Sequence, residues 1–188
     1  MRPTLDVDCV VDVTTASDYY AVVARLRGLG FKDCSDEGAP LCRLVYAGIR
    51  VDVVAVAETA VGPSNRWYPE AVSQAVRYQV ADDLSVLAIT PIYFLATKFE
   101  AFRGRGGGDF RTSHDLEDIL SVLGGMRELR DDVATESTSV ALAIRAELVA
   151  LAPARKFIDA IPGHFHGDEE GQRRAALMID WVERLSAS

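Results

Sequence analysis

Two aspartates close to the start of the chain have the spacing of a metal-binding pair. Asp6 and Asp8 are two residues apart in a valine-rich run that continues to Val13. Residues i and i+2 of an extended strand project from the same face, and adjacent carboxylates repel each other unless a cation lies between them. Because Mg²⁺ takes a few carboxylate oxygens together with water and substrate phosphates, the pair suits a metal–nucleotide complex. The competing interpretation is an edge strand whose polar residues face water.

A third carboxylate interrupts an otherwise apolar segment. We predict a hairpin with strands at 41–46 and 49–56 around Ala47-Gly48, and Asp52 lies within its second strand. A charged side chain is rarely buried there without a partner. With Asp6 and Asp8, it could hold two divalent ions, which activate an attacking oxygen and neutralise a triphosphate during in-line transfer. The alternative is that Asp52 faces solvent on a one-sided sheet.

Cationic residues are concentrated in a later segment. A helix is predicted to begin at Thr90-Pro91, with a capping hydroxyl followed by proline at the first helical position. Lys98 lies off the apolar stripe of this helix. It could bind triphosphate as a point charge, or it could be a surface lysine that extends its ammonium into water. The glycine-rich stretch from Gly104 to Gly108, with Arg103, Arg105 and Arg111, predicts a mobile cationic loop, but it lacks the Gly-Lys-Ser/Thr ending of a Walker loop.

The next helix carries two carboxylates in its first turns. Ser113 is predicted to cap it, and Asp115 and Asp118 are three residues apart on neighbouring positions of its surface. One of them could orient Lys98 or the arginines. The alternative is a set of charges that only stabilises the helix N-terminus.

The helices and strands predicted to carry these residues indicate an α+β fold. Residues 1–89 contain the strands, and residues 90–188 are helical. Between the first strand and the hairpin we predict a helix at 18–29, capped by Ser17, with Tyr20, Val23, Leu26 and Leu29 near one face. Further strands are predicted at 77–80 and 84–89, and further helices at 91–103, 113–124, 126–134, 138–152, 154–161 and 169–186.

Composition excludes several classes of protein. A net charge of −8 and a pI of about 4.9 disfavour a general nucleic-acid coat protein. We expect no membrane span and no signal peptide. Three cysteines fit neither a zinc pattern nor a disulfide framework, which favours a cytoplasmic protein with reduced thiols. His164 and His166 lie in a segment rich in proline and glycine, which we interpret as a solvated loop and not as a metal site.

The segment 97–110 (TKFEAFRGRGGGDF), followed by 113–119 (SHDLEDI), resembles the AbiEii/AbiGii nucleotidyltransferase toxin family. The Thr4-x-Asp6-x-Asp8 start is similar to the metal motif of that family, and Asp52 matches its third carboxylate. The segments 64–68 (SNRWY) and 162–164 (PGH) also resemble a subgroup of these proteins. The resemblance extends over nearly the whole chain, and the block from Lys98 to Asp118 is its most specific part.

The resemblance implies a DNA-polymerase-β-like nucleotidyltransferase core with a mixed or antiparallel sheet, followed by a helical C-terminal part that contributes Lys98 and Asp115 to the site. Mg²⁺ or Mn²⁺ would be bound by Asp6, Asp8 and Asp52. Residues Lys98, Arg103 and Arg105, with Asp52, would contact the NTP, and Asp115 would complete the catalytic set.

The same resemblance implies a biological role. Members of the family are toxins with a separate antitoxin, and the mycobacterial MenT-type toxins, a close comparison, transfer pyrimidine nucleotides from CTP or UTP to the 3′ acceptor end of tRNA. Thr4 matches a hydroxyl that the antitoxin phosphorylates in some members. Other expectations from the same fold are transfer to a protein or small-molecule acceptor, or a non-catalytic member that only binds a partner.

The sequence departs from the family pattern before Asp6. The metal motif of the family normally follows a strand, a Gly-Gly or Gly-Ser turn and a helix, and the turn holds the nucleotide phosphates through backbone N–H groups. Only five residues precede Asp6 here. We therefore expect either a start further upstream or a nucleotide cradle that lacks this segment.

Overall fold

The structure, a computed structural model, describes residues 6–57, 64–105 and 108–187. These residues form two compact units, which divide between Ala75 and Val76. A small mixed sheet and several helices confirm the predicted α+β class. The sequence indicates a boundary after residue 89, whereas the compact units divide before the strands at 76–88. No helix in the described part of the chain has the length and apolar character needed to cross a membrane.

The first unit is built on a four-stranded sheet. Its elements are β1 (Asp6–Val11), α1 (Ala16–Gly28), β2 (Lys32–Asp33), β3 (Arg43–Tyr46), β4 (Ile49–Ala55) and α2 (Tyr68–Ser73). The strand order is β1-β4-β3-β2, with β1 parallel to β4 and the other neighbours antiparallel. The predicted hairpin is confirmed. Its turn residues Ala47 and Gly48 both have positive φ, at 50° and 82°, which matches the right-handed twist of the paired strands.

Helix α1 covers one face of this sheet. Tyr19 and Val23 are buried against Leu44, Val53 and Ala55, and the Tyr19 hydroxyl donates a hydrogen bond to the carbonyl of Val53 at 2.9 Å. Odd-numbered residues of β4 therefore face the helix. Since successive side chains of a strand alternate between faces, its even-numbered residues lie on the opposite face.

The details of α1 correct two predictions. Thr15, not Ser17, caps the helix, because its hydroxyl accepts a hydrogen bond from the Asp18 amide at 3.1 Å. The buried face also differs in part from the predicted one: Val23 and Leu26 pack in the core as predicted, but Tyr20 and Leu29 are 54% and 64% exposed. A shift of one residue turns a helical position by about 100°, so Tyr19 occupies the core position that was predicted for Tyr20.

The second unit begins with an antiparallel hairpin, β5 (Val76–Ala81) and β6 (Leu84–Ala88). Helices α3 (Pro91–Arg105), α4 (His114–Gly125), α5 (Arg127–Thr135), α6 (Ser139–Leu151), α7 (Arg155–Ala160) and α8 (Glu169–Ser186) follow, with a 3₁₀ turn (Ile161–His164) before α8. This confirms the predicted order of elements. The core contains Leu95, Phe99 and Phe102 of α3 and the four predicted residues of α4: Leu116, Ile119, Leu120 and Leu123.

The ends of α3 differ from the prediction. Pro91 begins the helix as expected, but the Thr90 hydroxyl is buried with no hydrogen-bond partner among the described residues, so it does not act as the predicted cap. At its other end the helix continues through Gly104 to Arg105 instead of ending at Arg103. This extension matters because it fixes the Cα position of Arg105 on the helix. The predicted Ser113 cap is confirmed, since its hydroxyl accepts from the Leu116 amide at 3.3 Å.

Candidate functional site

Three carboxylates of the first unit share one face of its sheet. In the parallel pairing of β1 and β4, Asp8 lies opposite Asp52 and Asp6 lies opposite Arg50. Paired residues project from the same face, and this face is opposite the one that α1 covers. The structure therefore brings Asp6, Asp8 and Asp52 to a common face, as the strand spacing predicts.

Arg43 is the member of this group that the sequence reasoning missed. Its Nε and Nη2 atoms donate to the two carboxylate oxygens of Asp52, each at 2.7 Å. Its Nη2 also lies 3.8 Å from Oδ2 of Asp6. The hydrogen bond to Asp52 is the main reason why the pKa of Arg43 is raised above its usual value. We call Asp6, Asp8, Asp52 and Arg43 the carboxylate face.

The signal for Arg43 was present in the hairpin register. A two-residue turn at Ala47-Gly48 makes Arg43 the cross-strand partner of Asp52, and directly opposed residues of opposite charge interact in antiparallel sheets. The burial rule predicts that Asp52 needs a partner, and the register of the hairpin identifies Arg43 as that partner. The side chains of Arg43 and Asp52 are only 21% and 15% exposed, so the pair is largely withdrawn from solvent.

Part of the carboxylate face has the donor chemistry of a Mg²⁺ site. Asp6 and Asp8 supply hard oxygen donors on one strand face, and Mg²⁺ commonly uses one or two protein carboxylates with water and substrate phosphates. Both oxygens of Asp52 accept hydrogen bonds from Arg43, so a metal ion at Asp52 would share this carboxylate with a guanidinium. The described residues contain no group of three or more His, Cys, Asp or Glu side chains that could hold a metal ion.

A second charged group, which we call the α3–α4 cluster, lies in the helical unit. Lys98 and Arg105 are seven residues apart on α3 and therefore lie on the same side of the helix. The Lys98 ammonium is 2.7 Å from Oδ2 of Asp118 and 3.7 Å from Oδ1 of Asp115. Arg105 Nη2 donates to both oxygens of Asp115, at 2.9 and 3.0 Å. The predicted proximity of Lys98, an arginine and the two carboxylates is thus present.

Within this cluster, Asp118 is the closer partner of Lys98, and Asp115 belongs mainly to Arg105. Asp115 is buried, with 8% of its surface exposed, and its position in the first turn of α4 suits a negative charge. The Lys98 ammonium also lies 5.4 Å from the centre of the Phe94 ring, which adds a cation–π contact. These contacts hold the ammonium beside α4 and not in bulk water.

Arg103 lies outside the cluster. Its Nη1 atom donates to Oε1 of Glu147 on α6 at 2.8 Å. Arg103 and Arg105 are two residues apart on one helix, so they project about 200° apart around its axis. Only Arg105 is therefore joined to Asp115.

The segment after the glycine-rich stretch is fixed by hydrogen bonds. Oδ1 of Asp109 accepts from the amides of Arg111 and Thr112, and the hydrogen bonds from Thr112 are the main reason why the pKa of Asp109 is lowered. His164 Nε2 donates to the carbonyl of Phe110 at 2.7 Å. The prediction of a solvated loop at His164 is wrong, because this half-buried residue lies in a 3₁₀ turn and contacts the backbone at 110.

Thr4, the predicted phosphorylation site, lies outside the described residues. No protein-family model matches the chain, and no curated protein matches it.

Proposed function

We propose that the chain is a Mg²⁺-dependent nucleotidyltransferase of the polymerase-β-like type, acting as a cytoplasmic toxin under the control of an antitoxin. Its reaction would add a pyrimidine nucleotide from CTP or UTP to the 3′ acceptor end of tRNA and so block translation. The supporting observation is that Asp6 and Asp8 project from one face of the sheet, where they can act as the two carboxylate ligands of a metal ion. The resemblance of the Lys98–Asp118 block to AbiEii-type toxins supplies the reaction class.

In this reaction the acceptor 3′ hydroxyl oxygen forms a bond to the α-phosphorus, the bond to the β-phosphate oxygen breaks, and pyrophosphate leaves. Asp6 and Asp8 would hold the metal ion, which neutralises phosphate charge when bound. Lys98 and Arg105 would neutralise triphosphate charge, Asp118 holding the Lys98 ammonium in place and Asp115 holding the guanidinium. Arg103, the other predicted NTP contact, would have to leave Glu147 to take part.

The test is a transfer assay with purified full-length protein. Total tRNA, Mg²⁺ and each of the four α-labelled NTPs are incubated with the wild type, and labelled RNA is detected on a denaturing gel. We expect label from CTP or UTP at the tRNA 3′ end. Asp8→Asn removes a metal-binding carboxylate, and Lys98→Met removes the ammonium. Each variant should lower the rate of nucleotide transfer by at least about a hundredfold.

The matched control is Asp159→Asn, which removes a carboxylate that pairs with Arg155 on the exposed surface of α7. This variant should retain wild-type transfer. If the wild type labels no RNA with any NTP, and its expression without a partner does not slow growth, the toxin proposal is wrong.

The Arg43–Asp52 pair favours a second candidate, a non-catalytic member that binds a partner. A guanidinium that already occupies the third carboxylate reduces the number of groups left for metal. Equal growth inhibition by the wild type and Asp6→Ala would support this candidate. Label on a protein or small molecule instead of RNA would support transfer to that acceptor.

A further inference from the structure

We propose that Asp52 is not a metal ligand and that Arg43 is a built-in cation of the carboxylate face, which therefore takes one divalent ion, at Asp6 and Asp8. The identity of the ion rests on the proposed function. The role of Arg43 rests on the geometry of the first unit alone. With Arg43 in this role, the expected site holds a single divalent ion and a fixed guanidinium instead of two metal ions.

The first argument is the geometry of the pair. Arg43 and Asp52 are directly opposed on β3 and β4, so their backbones are fixed by the sheet. The guanidinium meets the carboxylate through two parallel hydrogen bonds of 2.7 Å, which is the strongest arrangement for this pair of side chains. A divalent ion on Asp52 would have to share the carboxylate with a cation that cannot lose its proton.

The second argument is charge balance. Arg43 supplies one positive charge to a face that carries three carboxylates, so it lowers the negative charge that a divalent ion would balance. Arg43 also reaches towards Asp6, at 3.8 Å, so its charge acts on the predicted ligand pair as well as on Asp52. The neighbouring Arg50 is bound to Asp36 at 2.9 Å and forms a separate neutral pair. Without Arg43 the same face would be more negative by one charge and would favour additional or tighter cation binding.

The test is a Mn²⁺ titration of the full-length chain, with free Mn²⁺ measured by electron paramagnetic resonance and no nucleotide present. The deciding variant is Arg43→Gln/Asp52→Asn, which removes Asp52 but keeps the formal charge of the face at that of the wild type. We expect its Mn²⁺ affinity to stay within about threefold of the wild-type value, whereas Asp8→Asn should lose at least about tenfold.

The single variant Arg43→Gln releases the Asp52 carboxylate. We expect it to bind Mn²⁺ about tenfold more tightly than the wild type, because a positive charge is removed and a carboxylate is added. Arg50→Gln is the matched control, since it removes the same charge from the same face but frees Asp36 instead of Asp52. Its Mn²⁺ affinity should change by less than about threefold.

Loss of Mn²⁺ binding in the double variant to the extent seen in Asp8→Asn would overturn the inference. Circular dichroism and thermal melting establish that each variant is folded, and the double variant leaves no unpaired charge to destabilise it. If the wild type binds no Mn²⁺ but Arg43→Gln does, the metal assignment of the proposed function fails while the role of Arg43 is supported. If neither binds Mn²⁺, both are wrong.

Discussion

The carboxylate face and the α3–α4 cluster balance their charges in different ways. In the first, one arginine holds both oxygens of Asp52, and both side chains are largely withdrawn from solvent. In the second, the carboxylate of Asp115 is buried, but its partner Arg105 is 68% exposed. The first pair is closed between two strands. The second leaves the Arg105 guanidinium at the surface, whereas the Lys98 side chain is only 23% exposed.

The geometry of the contacts agrees with this difference, because Arg43 donates to Asp52 through Nε and Nη2, whereas Arg105 donates to Asp115 through Nη2. A guanidinium matches a carboxylate with two parallel hydrogen bonds and keeps its charge, which suits a permanent pair such as Arg43–Asp52. The ammonium of Lys98 is a compact charge on a flexible stem, and it contacts Asp118 more closely than Asp115. A lysine so held can turn towards another anion without breaking a bidentate contact. The comparison therefore predicts that the two groups differ in stability, salt dependence and response to cations.

The largest expected effect comes from breaking the closed pair. Arg43→Met leaves the mostly buried carboxylate of Asp52 without its guanidinium, and we expect the free energy of unfolding to fall by about 3 kcal/mol. Removing both charges in Arg43→Met/Asp52→Asn should restore more than half of this loss, because no buried charge remains unpaired. Urea unfolding, followed by circular dichroism, measures both values. Equal losses in the single and double variants would show that packing, and not charge, stabilises this position.

A smaller effect is expected in the α3–α4 cluster. Arg105→Met should lower the free energy of unfolding by less than about 1 kcal/mol, because the lost partner is mostly exposed and Asp115 keeps Lys98 nearby. Screening by salt should also weaken the ion pairs of the exposed α3–α4 cluster more than the Arg43–Asp52 pair. In 1 M NaCl the effect of Arg105→Met should nearly vanish, while most of the effect of Arg43→Met remains. Urea unfolding at low and high salt tests this, and equal salt dependence of the two variants would remove the distinction.

Local patterns predicted the elements better than their contacts. The hairpin at Ala47-Gly48 followed from its turn residues, and the core face of α4 followed from helical spacing. The cap of α1 was assigned to the wrong hydroxyl because Thr15 and Ser17 both satisfy the sequence rule. Only the hydrogen bond from the Asp18 amide distinguishes them, and that depends on where the chain leaves β1.

For the charged residues too, the sequence predicts the elements that carry them better than the contacts that they make. That Asp52 needs a partner and that Asp115 or Asp118 meets Lys98 could be predicted from burial rules and spacing. Which arginine joins Asp115 could not, because it depends on whether α3 continues past Gly104. Glycine lowers helix stability by only about 1 kcal/mol, a cost small enough for the helix to continue through Gly104. The helix therefore reaches Arg105, and Arg103 turns to Glu147.

The smallest expected effect uses Cys9 as a probe of the carboxylate face. Partial burial of the thiol, and then the negative charge of neighbouring Asp8, raise the pKa of Cys9. Neutralising that charge, by Asp8→Asn or by a divalent ion at Asp6 and Asp8, should lower this pKa and increase the thiolate fraction at pH 8. Because the thiolate is the reactive form, alkylation of Cys9 by iodoacetamide should become about twofold faster.

The rate is measured by mass spectrometry in a Cys34→Ser background, since Cys42 is buried and Cys9 is the exposed thiol. Asp36→Asn is the control, because it removes a carboxylate of the first unit that pairs with Arg50 and does not act on the Cys9 pKa. Acceleration by Mn²⁺ in the wild type, absent in Asp8→Asn, would place the cation beside Asp8. Equal acceleration by Mn²⁺ in both proteins would mean that the ion acts elsewhere. Asp6 and Asp8 would then not be the cation-binding residues of the carboxylate face.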